Sequence, residues 1–146
     1  MRASGILLPV SSLPSKYGIG CFSKSAFEWI DFLQESGQTF WQILPLGPTS
    51  YGDSPYQSFS TFAGNPYFIS LEELIEEGLL TRAECESAQL GTNPSYVDYE
   101  KQYENRNPLL HKAYENSKKR EDADFLKFEE EQKAWLSDYA LFMALK

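Results

Sequence analysis

The sequence predicts an α/β chain, and within that class the opening part of a (β/α)8, or TIM, barrel followed by a helical insertion. Three observations carry this. Two short apolar runs flank an amphipathic helical segment, a loop rich in Gly, Pro and aromatic residues follows the second run directly, and the remainder reads as helices. A barrel of this kind takes about 250 residues, so a chain of 146 residues reads as one part of such a fold. The expected organisation is residues 1–71 as the first βαβ part of the barrel with its ligand loop, and residues 72–146 as a helical insertion subdomain. The apolar helical pattern from Trp135 to Lys146 meets no Gly, Asn or Pro stop signal, which fits an incomplete fold.

The run Gly5-Ile-Leu-Leu-Pro-Val-Ser11 has the continuous apolar character of a strand buried on both faces. Ser25 and Glu28 have the spacing of a capping box, Phe27, Ile30 and Leu33 fall on one helical face, and Gly37 supplies the stop. Thr39-Phe-Trp-Gln-Ile-Leu-Pro-Leu46 is the second strand, Trp41 packing within it, and the unit is expected to close as a right-handed parallel crossover. Tyr67 to Ser70 reads as a short strand, and Ser70 with Glu73 and Thr81 with Glu84 mark the starts of two short helices. Gly91 to Ser95 is a turn-rich joint and the expected internal boundary. Beyond it, the helical stretch Tyr96 to Lys118 is expected to be interrupted at Asn107-Pro108. A last helix over Asp124 to Lys146 presents an apolar stripe that includes Phe128, Trp135 and Phe142.

Charge and composition exclude several classes of function. The formal net charge is −8 and no basic cluster could track a phosphate backbone, which argues against nucleic acid. No apolar run approaches the 18 or more residues of a membrane span, and the first residues lack a secretory pattern, so a cytoplasmic location is expected. Cys21 and Cys85 stand far apart with no histidine near either, which fits inert free thiols and gives a metal site no support. His111, the single histidine, sits in a charged helical stretch and reads as a surface residue. Glu129-Glu-Glu131 reads as a solvated helix face.

The loop Gly47 to Asn65 holds the chemistry. Gly and Pro fix its backbone path, while Tyr51, Tyr56, Phe59 and Phe62 offer flat apolar faces beside the polar groups of Asp53, Ser54, Gln57 and Asn65. A sugar ring, with apolar C–H faces and a polar rim, suits that mixture. Both this loop and Ser12 to Gly20 follow a strand, so both should project from the same end of the sheet, where α/β barrels bind ligands.

The segments Ser4-Gly-Ile-Leu-Leu8, Ser11-Ser-Leu-Pro14, Tyr17-Gly-Ile-Gly20, Gly37-Gln-Thr-Phe-Trp-Gln-Ile-Leu-Pro-Leu-Gly-Pro48 and Tyr51-Gly-Asp-Ser-Pro-Tyr-Gln-Ser-Phe59 resemble the amino-terminal end of the 4-α-glucanotransferases, the amylomaltase or disproportionating-enzyme family, glycoside hydrolase family 77. The match is collinear from Ser4 to Leu71. Pro9 departs from the pattern, since family members commonly carry a His at that point.

The resemblance implies that the parent protein moves segments of α-1,4-glucan onto glucose or maltooligosaccharide acceptors by a retaining double displacement, without metal or organic cofactor. It places the essential carboxylates on later barrel strands, outside this chain. It implies that Tyr56 lies beside the glucose at the cleavage point, that Ser54 and Gln57 bond sugar hydroxyls, and that Tyr51 belongs to a second glucan position on the surface. Asp53, between Gly52 and Pro55, reads instead as a turn residue. The rival readings are an α-amylase-type hydrolase and a non-catalytic carbohydrate-binding module. Such modules are mostly β-sandwiches, and this sequence has few strands and long helices.

Overall fold

The computed structural model describes residues 2–91, 93–118 and 123–146. The chain separates into two compact units, Met1–Asn116 and Ser117–Lys146.

In the first unit, strand β1 (Gly5–Leu7) runs parallel to β2 (Phe40–Gln42), with Gly5 opposite Phe40, Ile6 opposite Trp41 and Leu7 opposite Gln42. Helix α1 (Lys24–Glu35) connects them. The strands are shorter than predicted because Pro9 has no N–H to continue the ladder, and Val10–Ser12 turns instead into a 3-10 helix. Neither strand is buried on both faces. Ile6 and Trp41 are half-buried, whereas Leu7 and Phe40 are 54% and 61% exposed, since a two-stranded sheet with one packed side leaves the alternate residues uncovered.

Ser23, not Ser25, is the N-cap of α1. The Ser25 hydroxyl is engaged elsewhere, donating to the Pro14 carbonyl at 2.9 Å, so the predicted capping box does not form. The buried face of α1 also differs from the prediction. Ala26 and Leu33 are buried, while Phe27 and Ile30 are exposed. Ala26 joins Val10 and Leu13 in a small core against which Trp29 and Trp41 pack, and the Trp41 indole donates to the Leu8 carbonyl at 2.8 Å. The prediction for the helix stop agrees with the structure: Gly37 has φ +70° just after the C-cap Ser36.

After β2 the chain makes the long loop and then a 3-10 helix at Pro66–Phe68, where a strand was expected. Asn65 sets this turn through its side chain, which accepts the Tyr67 N–H at 3.0 Å. Helix α2 (Leu71–Glu76) starts with the Ser70 hydroxyl accepting the Glu73 N–H, and α3 (Arg82–Ser87) starts with a complete Thr81–Glu84 capping box. Helix α4 (Tyr99–Lys101) leads into a π-turn at Gln102–Arg106 and then α5 (Asn107–Ser117) without a break. Pro108 therefore does not interrupt the helix. The wider π-turn just before it relieves the clash between a proline ring and the preceding turn's carbonyl.

The main core of this unit takes Tyr17 from the first loop, Leu71, Leu79, Leu80, Cys85 and Leu90 from the α2–α3 region, and Leu109 and Ala113 from α5. Residues on either side of position 71 thus share one core, and the predicted joint at Gly91–Ser95 lies inside the first unit; Thr92 falls outside the described residues. Cys21 and Cys85 are free thiols, both buried, and burial raises the pKa of each.

The second unit holds α6 (Ala123–Gln132) and α7 (Leu136–Leu145). A turn at 133–135 divides the single helix that was predicted, with Trp135 as N-cap at φ −134° and its indole donating to Gln132 at 2.8 Å. Neither helix buries a residue. Of the predicted stripe, Phe128, Phe142 and Met143 are exposed, while Trp135 is half-buried with its ring 5.9 Å from that of Tyr139. Among the described residues no helix is long and apolar enough to cross a membrane.

Candidate functional site

The two loops after β1 and β2 are the site's scaffold, and each is closed by its own backbone. In the first, the Gly20 N–H donates to Ser11 O at 3.0 Å. In the second, the Asn65 N–H donates to Leu46 O at 2.8 Å, joining the loop's two ends. Gly47 at the entrance is closely packed: a Cβ there would stand 2.3 Å from the Ser58 hydroxyl and 3.0 Å from Ser60 O, so a side chain would force Ser58 aside.

Inside the second loop the chain is stitched by short-range bonds. Asp53 takes the left-handed backbone at φ +52° next to Gly52 at φ +92°, its N–H donating to Ser50 O and its carboxylate accepting the Thr49 hydroxyl at 3.1 Å. Asp and Asn tolerate that conformation better than other side chains, so Asp53 is a turn residue. Gln57 N–H donates to Ser54 O at 3.0 Å, and Tyr56 N–H reaches the Ser54 hydroxyl at 3.4 Å.

These turns point the aromatic rings outward. Tyr51 is fully exposed, and Tyr56 and Phe62 are 73% and 71% exposed. Gln57 is exposed and Ser54 half-buried. Tyr56, Ser54 and Gln57 stand together on one short turn; Tyr51 occupies the turn before it. A large apolar ring held in water by a rigid loop is a surface suited to a flat, partly apolar ligand.

Beneath the loop lies a cavity of about 140 Å³ between the strand ends. Pro9, Ser11 and Ile19 line it from the first loop, and Asp53, Pro55 and Asn65 from the second, with Tyr67 and Tyr99 completing the wall. The rings of Tyr67 and Tyr99 lie 6.0 Å apart. Burial, together with the negative charge of Asp53, pushes the Tyr67 phenol up to about 12. Burial also raises Tyr99, against the lowering effect of its hydrogen bond with Ser11. Both phenols stay protonated at neutral pH and can donate hydrogen bonds. Pro9, the position that departs from the family pattern, forms part of this wall and has no side-chain polar group to offer.

A wider groove of about 490 Å³ runs beside the first loop, where Ser12, Ser15, Asn93, Ser95 and Tyr96 gather. The sequence placed Ser12 and Ser15 in a loop expected on the ligand side, but gave no binding role to Asn93, Ser95 or Tyr96, nor to Tyr67 or Tyr99. The signal available was the Ser and Asn density of the segment ending at Ser95, which reads equally well as a turn.

Among the described residues no cluster of His, Cys, Asp or Glu could hold a metal ion. His111 lies on the surface, its ring 6.4 Å from that of Tyr114. Glu129, Glu130 and Glu131 are all exposed.

The architecture is a parallel βαβ unit whose two strand-to-helix loops form a shared, polar and aromatic end, the arrangement of a ligand-binding α/β protein. Comparison with known proteins gives the family. The model of the 4-alpha-glucanotransferase family, glycoside hydrolase family 77, matches residues 8–146, and the chain belongs to that family. It is 55% identical over 137 residues to a 4-alpha-glucanotransferase of Clostridium butyricum, covering 94% of this chain and 28% of that protein. A 4-alpha-glucanotransferase of Streptococcus pneumoniae is 51% identical over 146 residues, covering 99% of this chain and 29% of that one. Among solved structures, an amylomaltase from Streptococcus agalactiae in complex with acarbose matches with a TM-score of 0.93 and 46% identity, over 100% of this chain and 30% of that one. The chain thus spans less than a third of the length of these relatives, and corresponds to their amino-terminal part.

Proposed function

We propose that this chain is the substrate-contacting opening of a (β/α)8 barrel in a cytoplasmic 4-α-glucanotransferase, an enzyme that moves a segment of α-1,4-glucan onto glucose or a maltooligosaccharide. The observation that carries this is the loop Gly47–Asn65: its backbone is closed and stitched from within, yet it holds Tyr51, Tyr56 and Gln57 out to solvent. In the double displacement a carboxylate takes the glucan covalently while a carboxylic acid protonates the departing oxygen, and the acceptor hydroxyl then reverses both steps. Asp53, the carboxylate within this loop, is engaged by Thr49 and shaped into a turn, so the chain supplies contacts and framework rather than the nucleophile.

In this reading the Tyr56 ring supports the sugar face at the cleavage point, and Gln57 and Ser54 bond its hydroxyls. Tyr51 receives a more distant stretch of a long glucan. The buried, unpaired thiols of Cys21 and Cys85 suit a reducing compartment.

The test is incubation with maltotriose of two proteins: the 146-residue chain, and a chimera in which it replaces the matching part of the Streptococcus agalactiae amylomaltase. The chimera should release glucose and build longer maltodextrins, and the chain alone should do neither. Turnover by the chain alone, or a folded but inert chimera, contradicts the proposal.

A further inference from the structure

Two polar residues of the π-turn are buried more completely than almost any apolar residue in the protein. Gln102 is 0% and Arg106 1% exposed. Neither lies in the segments that resemble the family's loops, and neither is paired with a carboxylate among the described residues.

Their bonds go to backbone carbonyls from three distant parts of the chain. The Gln102 amide nitrogen donates to Tyr17 O at 2.9 Å, in the loop after β1, and to Leu90 O, beyond α3. Its amide oxygen accepts from Arg106 Nη1 at 3.3 Å. Arg106 Nη2 in turn donates to Ile69 O, the C-cap of the 3-10 helix that follows the loop after β2. The fit around this pair is close. Gly18 has φ +77°, and a Cβ there would lie 2.7 Å from the Gln102 nitrogen and 2.2 Å from Leu90 O.

A buried guanidinium with no carboxylate at ion-pair distance among the described residues, and with Glu72 acting on it only from farther off, is unfavourable in itself. What this one contributes is geometry: a planar fork that fixes two acceptors at a set separation. The π-turn places Gln102 and Arg106 on one face, and such turns recur at functional sites.

Resting on the function proposed above, we infer that Gln102 and Arg106 are positioning residues for the glucan site, a clamp that holds the loop after β1 and the 3-10 helix closing off the loop after β2 at one fixed spacing. They touch no substrate. They act through Tyr17 and Ile69, so loosening them should spread the sugar contacts without dismantling the core.

Gln102→Glu is the informative variant. It keeps the side chain's size and adds an ion pair to Arg106, while removing the donor to Tyr17 and Leu90. Hydrogen exchange on the 146-residue chain should show amides of residues 12–20 exchanging about tenfold faster or more. The core variant Leu109→Ala should instead speed exchange across the core. In the chimera, Gln102→Glu should raise KM for maltotriose several-fold more than Leu109→Ala does, compared at the temperatures where each variant shows the same fraction folded. If Gln102→Glu does not fold, Arg106→Lys, which keeps the charge but loses the fork, carries the same two measurements. Wild-type exchange at residues 12–20, or a KM shift no larger than that of Leu109→Ala, overturns the clamp. An inactive wild-type chimera would instead overturn the functional reading, leaving the exchange experiment to decide whether the clamp exists.

Discussion

The loop Gly47–Asn65 and the core around α2, α3 and α5 lie in the same compact unit and are stabilised by opposite means. The core is a burial structure: Leu71 is 1% exposed and Leu80 and Leu90 are 4% exposed, in a cluster drawn from turns and helices between Tyr17 and Ala113. The loop buries little and leans on local bonds such as Thr49 to Asp53 and Ser54 to Gln57. The rings of Tyr51, Tyr56 and Phe62 face water, while Phe59 is half-buried. Where apolar area is buried, a side chain acts on stability; where a rigid backbone holds it exposed, it can be altered with little cost to folding.

That contrast orders the expected effects. Leu71→Ala should be the largest, costing about 2 to 5 kcal/mol because it leaves a cavity in the main core. Urea unfolding of the 146-residue chain measures it, and a loss below about 1 kcal/mol would mean the core is less tightly packed than its burial implies. Thr81→Ala should cost about 1 kcal/mol, through the lost cap on α3, visible in the same experiment.

The start of α3 should also respond to pH. The hydrogen bond from Lys112, with those from Thr81, holds Glu84 down at about 2, against an ordinary value of 4.5. A carboxylate with a lowered folded pKa contributes above its unfolded value and loses that contribution as pH falls through 4.5 toward 2. The urea midpoint should therefore fall across that window, and Lys112→Met should flatten this part of the profile. Equal profiles for both proteins would show that the α3–α5 ion pair does not set the carboxylate's titration. Tyr51→Ala should be the mildest change, leaving the urea midpoint where it was and altering chimera kinetics on amylose but not on maltotriose, since a remote contact serves only a glucan long enough to reach it. Equal loss on both substrates would place Tyr51 at the cleavage point instead.

What the sequence made legible followed from how far each interaction reaches. The Thr81–Glu84 capping box was readable because both partners sit within four residues. The parallel pairing of β1 with β2 followed from two apolar runs around one helix. Ser25 and Glu28 had the same local spacing as a capping box, but Pro14, eleven residues back, takes the Ser25 hydroxyl, and nothing within the helix signals that. The face of α1 was right at Leu33 but wrong at Phe27 and Ile30, because helical spacing offers two neighbouring apolar stripes. Ala26 and Leu33 pack inward, while the larger Phe27 is left outside. Gln102 and Arg106 were unreadable for the same reason in stronger form. Their acceptors lie 85 and 37 residues away, and polar residues on a helix ordinarily signify a solvated surface. The loop's composition was plain in the sequence, whereas the cavity beneath it depends on Tyr67 and Tyr99, thirty-two positions apart and joined only by the fold.

Whether the exposed loop meets glucan is decided at Tyr56. In the chimera, Tyr56→Ala should remove ring stacking worth about 1 kcal/mol or more, a fall of roughly fivefold or more in kcat/KM on maltotriose that includes kcat. Tyr56→Phe, which keeps the ring face, should lose less. Because the ring is 73% exposed, Tm should stay within about 2 °C of the parent. Unchanged kinetics for Tyr56→Ala with a Tm lower by several degrees would make the residue structural and remove it from the glucan site.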